Sequence, residues 1–288
     1  MGLDYENRGL ASFSKIKILK SKFNFTDPSS VDFDICKCVE YQVYGKDGGQ
    51  SWEQDVSGAW IKAYSGDTVL FVLKKDGVIV DNPVAKSFVK DIHSKYCQID
   101  WTDQLLVNGI GCYELSINYT IGGVADTIIW AEYHLNEFDI LKVKNTVRFK
   151  SIFNSNQSIE EIDFTNSKVI DTVRFDGYFG DRQPNTFIDN IIYSNKSMNK
   201  VVRENLNKYY LESKNLPIIF IDKIIDLHLL SENEVYVSDY NFKNPVKYYL
   251  DFPCIVSESA EIEYIDGVDK PSFKCIFSDK IKNSKSYY

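Results

Sequence analysis

Two consecutive glycines, Gly122 and Gly123, constrain the fold of this chain more than any other feature. They separate two segments in which apolar and polar residues alternate, 113–121 and 124–133. Consecutive glycines supply the positive φ angles that a two-residue hairpin turn needs. Because a strand sends successive side chains to opposite faces, the alternation gives each segment one apolar face. The sequence therefore predicts an antiparallel β-hairpin with one buried face.

A second hairpin is predicted earlier in the chain. Asp76-Gly77 lies between two apolar runs, 68–73 and 78–80. An Asp-Gly pair between such runs is typical of a tight turn joining two strands. The first half of the chain therefore contains two hairpins in succession.

The N-terminal part of the chain has the spacing of an all-β domain. Short apolar segments recur about every ten residues, and helical periodicity is almost absent before residue 195. We expect residues 1–154 to form a β-sandwich, Ig-like or jelly-roll-like. The Gly-rich segment 45–58 within it is predicted to be an exposed loop.

The pattern changes after the polar stretch 154–158, where we place the domain boundary. Ser197 is positioned as an N-cap and Pro217 lies beyond the end of the periodic segment. Apolar residues recur there at helical spacing: Met198, Val201, Val202, Leu206, Tyr209 and Tyr210. Strands are expected to follow at 248–256, 261–265 and 272–277. Residues 155–288 are therefore predicted to be a smaller α+β assembly domain with one clear amphipathic helix.

One four-residue pattern occurs twice. Thr146-Val147-Arg148-Phe149 is followed by Phe153, and Thr172-Val173-Arg174-Phe175 is followed by Phe179. Two strands with matching faces, at equivalent positions in adjoining sheets, would explain the recurrence. Chance similarity of two amphipathic strands is the alternative, and the sequence does not decide whether the repeat reflects duplication.

Charge and hydropathy exclude some functions. The formal net charge is -8, whereas a duplex nucleic-acid binder normally carries a basic surplus, so sequence-specific nucleic-acid binding is not expected. The polar segment 1–8 contains no apolar signal region. The most apolar run, 216–230, is interrupted by Asp222, Lys223 and Asp226, so we expect no membrane span.

No local motif predicts catalysis. Nucleophile elbows, phosphate-binding loops, dinucleotide-binding loops, HExxH and EF-hand sequences are all missing. The chain has three histidines, at positions 93, 134 and 228, and no signature links them to a nucleophile. We therefore expect no enzyme activity, no catalytic residue and no cofactor.

Candidate metal ligands have simpler explanations. Cys36 and Cys38 share one strand face, but no second ligand pair accompanies them, so core packing is favoured. Asp226 and His228 similarly fit a solvated strand face. The six cysteines are expected to be reduced thiols, and no metal site is predicted.

Two other groups of residues leave alternatives open. The four tryptophans could stack on sugars or pack in a sandwich core: Trp52, Trp60, Trp101 and Trp130. The basic tail could be solvated or could dock on a neighbouring subunit: Lys274, Lys280, Lys282, Lys285 and Tyr287-Tyr288.

Two segments resemble structural proteins of tailed bacteriophages. They are Thr172-Val173-Arg174-Phe175-Asp176-Gly177-Tyr178-Phe179-Gly180 and Leu229-Leu230-Ser231-Glu232-Asn233-Glu234-Val235-Tyr236-Val237-Ser238-Asp239-Tyr240-Asn241. With the scarcity of arginine and the high aromatic content, they are most similar to the tail-ring proteins of crAss-like podoviruses that infect Bacteroidales. The resemblance covers about half of the chain, mostly after residue 145, and transfers no functional residue.

The resemblance implies a virion protein, assembled in the host bacterial cytoplasm. Such a subunit would form a sixfold or twelvefold ring below the portal, around the DNA channel, and would contact other tail, portal or ring proteins. A ring subunit makes head-to-tail contacts that close by rotation. The alternative is a carbohydrate-binding β-sandwich module involved in host recognition.

Overall fold

The protein is mainly β. A computed structural model describes residues 40–154, 162–192, 199–213, 221, 224–225, 234–241, 249–256, 261–263, 272–279 and 284–287. Within these ranges the helix α1 spans Trp101–Asn108, and no helix is long and apolar enough to cross a membrane.

Seventeen strands are described, in chain order: β1 (Glu40–Gly45), β2 (Val56–Ile61), β3 (Thr68–Lys75), β4 (Val78–Asp81), β5 (Lys86–Ser87), β6 (Lys95–Asp100), β7 (Gly111–Ile121), β8 (Val124–Glu137), β9 (Thr146–Phe153), β10 (Val169–Asp176), β11 (Tyr178–Ile192), β12 (Asn199–Ser213), β13 (Glu234–Asp239), β14 (Phe252–Val256), β15 (Glu261–Glu263), β16 (Ser272–Asp279) and β17 (Ser284–Tyr287). They form a five-stranded, a three-stranded and a nine-stranded sheet.

The five-stranded sheet has the order β1-β8-β7-β3-β4 and contains both predicted hairpins. Gly122 and Gly123, at φ 59° and 80°, connect β7 to β8, and Asp76 and Gly77, at φ 50° and 81°, connect β3 to β4. Positive φ at both turn positions matches the right-handed twist of the flanking strands. β1 completes the sheet by pairing parallel to β8. Both hairpin predictions are confirmed.

The three-stranded sheet, β2-β6-β5, leads directly into α1. A carboxylate oxygen of Asp100 accepts a hydrogen bond of 2.8 Å from the backbone N–H of Thr102, which caps the first turn. Gly109, at φ 74°, ends the helix, and its N–H donates to the carbonyl of Leu105. The sequence periodicity did not predict this helix, because eight residues are too few to establish a helical repeat.

The predicted helix over 197–210 is wrong. This segment contributes most of β12, which pairs antiparallel with β11 and β16. Tyr209 and Leu211 are both buried, and their separation of two residues is the period of a strand. Val201 and Val202 are β-branched and favour extended backbone. Pairing with distant strands therefore overrides a local spacing that mimics a helix, and the helix on which the predicted α+β character rested is absent from 199–210.

The nine-stranded sheet runs β10-β9-β13-β14-β16-β12-β11, with β15 against β16 and β17 against β12. β9 precedes the predicted boundary at residue 154, yet both of its neighbours in the sheet follow that boundary. The hydrophobic core is also shared, since one buried cluster contains Trp60, Leu115 and Phe149 from the three different sheets. The two predicted segments thus meet in one sheet and one core.

Candidate functional site

The repeated four-residue pattern places two arginines side by side. Arg148 of β9 and Arg174 of β10 are directly opposite each other in the antiparallel register. Their side chains are only 1% and 2% exposed. The expectation that the two segments occupy adjoining sheets is wrong, because they are neighbouring strands of one sheet. Paired arginines in the interior require buried acceptors.

Asp55 supplies a carboxylate to both arginines. Its Oδ1 lies 2.8 Å from Arg148 Nε and 3.2 Å from Arg174 Nη2. Its Oδ2 accepts a hydrogen bond of 2.9 Å from the backbone N–H of Tyr44. The Asp55 side chain is 1% exposed, so these contacts replace nearly all of its hydration.

A second carboxylate, Asp251, extends this cluster towards the surface. It contacts Arg148 Nη1 at 3.0 Å and Lys150 Nζ at 3.2 Å, and it accepts a hydrogen bond from the hydroxyl of Ser51. Burial disfavours the charged carboxylate, but Arg148, Ser51 and Lys150 together hold the pKa of Asp251 below its usual value. We call Asp55, Arg148, Lys150, Arg174 and Asp251 the ionic network.

Two aromatic rings lie against the charged guanidinium group of Arg174. Its guanidinium carbon lies 4.6 Å from the ring centroid of Tyr240 and 4.9 Å from that of Tyr44. The negative face of an aromatic ring attracts a cation, and burial strengthens the attraction. Burial disfavours the charge, but Asp55 and then Tyr240 raise the pKa of Arg174 above its ordinary value. Arg174 therefore remains a cation in the interior.

The ionic network and Tyr240 together hold the second half of the segment 46–55. Arg148 Nη2 donates to the carbonyl oxygens of Ser51 at 3.1 Å and Gln54 at 2.7 Å. The Tyr240 hydroxyl donates to the carbonyl oxygen of Trp52. The expectation that this Gly-rich loop is simply exposed is therefore wrong for its second half, where side chains and backbone carbonyls are held by buried groups.

The strand β10, which carries the second copy of the repeated pattern, also joins two sheets. Asp171 Oδ1 accepts a hydrogen bond of 3.1 Å from the N–H of Gly58. The Thr172 hydroxyl accepts from the N–H of Val56 at 3.1 Å and donates to its carbonyl at 2.9 Å. Side chains of β10 thus form hydrogen bonds with the backbone N–H and carbonyl groups on the edge of β2, where a further strand would otherwise pair.

A cleft of 560 Å³ opens beside the fixed loop. Its apolar walls include Trp52 and Phe138, whose ring centroids are 5.8 Å apart at 80°. Lys46 and Glu137 supply charge, and Lys46 Nζ lies 2.5 Å from Glu53 Oε1. Five of its eight lining residues are charged, so the cleft is more polar than a typical small-molecule pocket, whose lining is mostly apolar.

The tryptophans divide between core and cleft. Trp60, Trp101 and Trp130 are at most 2% exposed and pack in the core. Trp52 is half-buried and lines the cleft. Of the two interpretations of the tryptophans, core packing therefore holds for three, while Trp52 retains a face that a ligand can reach.

The remaining candidates are the cysteines, the aspartate and the histidines that were considered as metal ligands or catalytic groups. Cys36, Cys38, Asp226 and His228 lie outside the described residues. His93 is exposed, and His134 lies on β8. Among the described residues, no group of three or more His, Cys, Asp or Glu side chains could hold a metal ion.

The basic tail lies partly within the described residues. Residues 284–287 form β17, which pairs with β12 of the same chain. Lys280, Lys282 and Tyr288 lie outside the described residues. The backbone of the tail is thus engaged by its own sheet over four residues.

Exposed apolar side chains lie on β4, which is the edge strand opposite β1 in the five-stranded sheet, and at the end of α1. Within the described part of the chain, β4 pairs with β3 alone. Gln104 Nε2 of α1 donates to Asp81 of β4 at 2.9 Å, and Lys75 Nζ of β3 donates to the carbonyl of Asn108 at 2.5 Å, so two side-chain hydrogen bonds link α1 to the β3–β4 hairpin. Large apolar side chains on them are more than half exposed: Val78, Ile79, Leu106, Val107 and Ile110. We call these five residues the outer apolar patch.

One buried carboxyl predicts a pH effect. Asp239, at the end of β13, is 6% exposed, and burial raises its pKa to about 6 although the N–H of Asn241 donates to it at 3.1 Å. The folded chain therefore binds this proton more tightly than the unfolded chain, so stability decreases as pH rises from about 4 through about 6. The expected loss is at most about 3 kcal/mol.

Urea unfolding between pH 4 and 7 measures this effect. Asp239→Asn should abolish the decrease, whereas the exposed control Asp103→Asn should retain it. Equal pH profiles for the parent chain and Asp239→Asn would contradict the assignment. Below about pH 4 both variants should lose stability as Asp251, whose pKa is lowered, becomes protonated.

No family model matches the chain, and no curated protein matches it.

Proposed function

We propose that this protein is a structural component of a bacteriophage virion, a tail ring or adaptor subunit that forms a symmetric ring below the portal around the DNA channel. The observation that carries the assembly part of this proposal is the outer apolar patch. Large exposed apolar groups on an edge strand and on a helix end linked to the same hairpin favour contact with another protein surface. In a ring, the occupant of this patch is a different surface of a neighbouring copy of the chain.

Three further observations support a structural role. The ionic network ties β9, β10 and the segment 46–55 together, which gives a rigid body suited to repeated packing. The net charge of -8 suits a channel through which DNA must pass freely. The segments 172–180 and 229–241 resemble phage tail-ring proteins, and this resemblance is the basis for the phage assignment.

Mass photometry of the pure protein and particle averaging of the virion test the proposal. We expect a discrete high-order oligomer, or a monomer that enters particles with its partners. Ile79→Lys combined with Val107→Lys should prevent assembly, because each lysine would bury an unpaired charge at the interface. Since both side chains are exposed in the monomer, the unfolding midpoint should change little.

Val124→Lys is the matched control, because Val124 is 57% exposed but lies at the far turn of the β7–β8 hairpin. It should assemble like the parent chain. A protein that stays strictly monomeric and is missing from particles would refute the ring proposal. Normal assembly of the double variant would leave a ring possible but would exclude the outer apolar patch as its interface.

A carbohydrate-binding module is the second candidate, and the cleft beside Trp52 favours it. An indole face with nearby charged groups can hold a sugar ring. The two rings do not form a flat platform for an extended glycan, because Trp52 and Phe138 are inclined at 80° rather than coplanar. A glycan array probed with the parent chain and with Trp52→Ala distinguishes the two functions, since a ring subunit should give no signal in either form.

A further inference from the structure

A cysteine and a histidine form a cross-strand pair on the five-stranded sheet. Cys112 of β7 lies directly opposite His134 of β8 in the antiparallel register. Cys112 Sγ is 3.4 Å from His134 Nδ1, within hydrogen-bonding distance for sulfur. The thiol is exposed, so a reagent in solution can reach it.

The surroundings of the pair follow from the register. Glu114 and Glu132 are the next directly opposed residues on the same face, two positions along each strand. Lys74 Nζ binds Glu114 at 2.8 Å, and Gln42 of β1 lies opposite His134 on its other side. Lys74 offsets the charge of Glu114, and the N–H of Asp76 donates to the carbonyl of Cys112 at 3.2 Å, so a third acidic residue lies beside the pair. The 3.4 Å contact places a ring nitrogen of His134 where it can accept the proton of the Cys112 thiol.

The other described cysteines have different environments. Cys97, Cys254 and Cys275 are buried. Burial raises the pKa of Cys275 to about 12 and also raises that of Cys97. Because the thiolate is the nucleophile, these two thiols are inert at neutral pH. Among the described residues, Cys112 therefore combines exposure with an adjacent base.

We propose that Cys112 and His134 form a thiol-modification site that takes low-molecular-weight disulfides. His134 accepts the thiol proton, and Cys112 Sγ attacks one sulfur of the disulfide. A new S–S bond forms to Cys112, the original S–S bond breaks, and the departing sulfur leaves as a thiolate that takes up a proton. The cysteine sulfur is oxidised to the disulfide level, and half of the reagent is reduced to a thiol. This inference is independent of the ring proposal.

Reaction of the full chain with oxidised glutathione and with 5,5′-dithiobis(2-nitrobenzoate) tests the site. Cys36→Ser and Cys38→Ser in every variant keep those two thiols from contributing. Peptide mass mapping should place the adduct on Cys112. Replacing His134 by Gln should slow the reaction at pH 7 roughly tenfold and move the rise of rate with pH upwards, because less thiolate is present.

His93→Gln is the matched control, because His93 is an exposed histidine away from Cys112, and it should react at the parent rate. Circular dichroism and the unfolding midpoint establish that each variant is folded. If His134→Gln fails to fold, the pH dependence of the parent chain decides. A rate that rises only around the ordinary thiol range near pH 8.5, an adduct elsewhere, or equal rates for His134→Gln and the parent would overturn the proposal.

Discussion

Asp55→Asn should destabilise the protein by about 3–5 kcal/mol, the range expected when one partner of a buried ion pair is removed. The substitution keeps the size of the side chain and removes its charge. Arg148 and Arg174 would remain buried while losing their shared carboxylate. An amide carries no charge for the two guanidinium groups, and if its oxygen accepts from the N–H of Tyr44, its NH2 group faces the arginines.

Urea unfolding at pH 7, followed by tryptophan fluorescence, measures the loss. Glu114→Gln is the matched control, because it removes a carboxylate from the Lys74–Glu114 pair, whose side chains are 32% and 29% exposed. That pair should contribute less than about 1 kcal/mol. If Asp55→Asn costs no more than Glu114→Gln, the ionic network does not stabilise the folded state.

Apolar replacement of all three buried partners tests more sharply what the ionic network contributes to the folded state. Asp55→Leu, Arg148→Met and Arg174→Met together remove the charges and the need to desolvate them. We expect the triple variant to be more stable than Asp55→Asn, since a buried ion pair often contributes little relative to an apolar core of similar volume. It should nevertheless loosen the segment 46–55, because Arg148 no longer binds the carbonyls of Ser51 and Gln54. Faster amide hydrogen exchange across that segment is the expected readout.

The sequence predicts local structure of this protein better than its long-range pairing. Both hairpins were predicted, because Gly122-Gly123 and Asp76-Gly77 specify their turns within a few residues. The strand β12 was not, because its partners β11 and β16 lie at other points of the chain and its valines and tyrosines happen to follow a helical spacing. A local period cannot compete with hydrogen bonds to two neighbouring strands.

The ionic network could not be predicted for the same reason, because it depends on contacts between residues far apart in the sequence. The repeated pattern predicted two strands with matching faces but not that they are neighbours in one sheet with Arg148 opposite Arg174. Their common acceptor, Asp55, lies far away in sequence in a segment that reads as an exposed Gly-rich loop. Arg148 and Arg174 share the face opposite to that of Phe149 and Phe175, and no signal in the sequence shows that this second face is also buried. The Cys112–His134 pair was equally hidden, since only the register of β7 and β8 brings them together.

Trp60→Ala should have an effect as large as that of Asp55→Asn, about 3–5 kcal/mol, because it removes a large ring from a closed core. Trp60 is fully buried. Its ring centroid lies 5.3 Å from that of Trp130, 5.4 Å from that of Phe153 and 5.4 Å from that of Phe164. These rings come from β2, β8, β9 and the segment before β10. A cavity here therefore weakens the contact between all three sheets.

Trp60→Phe and Trp130→Phe separate ring volume from hydrogen bonding. The Trp130 indole N–H donates to the carbonyl of Gly58 at 3.1 Å, whereas within the described part of the chain Trp60 Nε1 has no hydrogen-bond partner. Both substitutions remove a similar volume, but Trp130→Phe also leaves a buried carbonyl unsatisfied, which costs about 1–3 kcal/mol. Trp60→Phe should therefore be the milder change in urea unfolding. An equal or larger loss for Trp60→Phe would mean that the Trp60 N–H is satisfied in solution, by a buried water or by residues outside the described ranges.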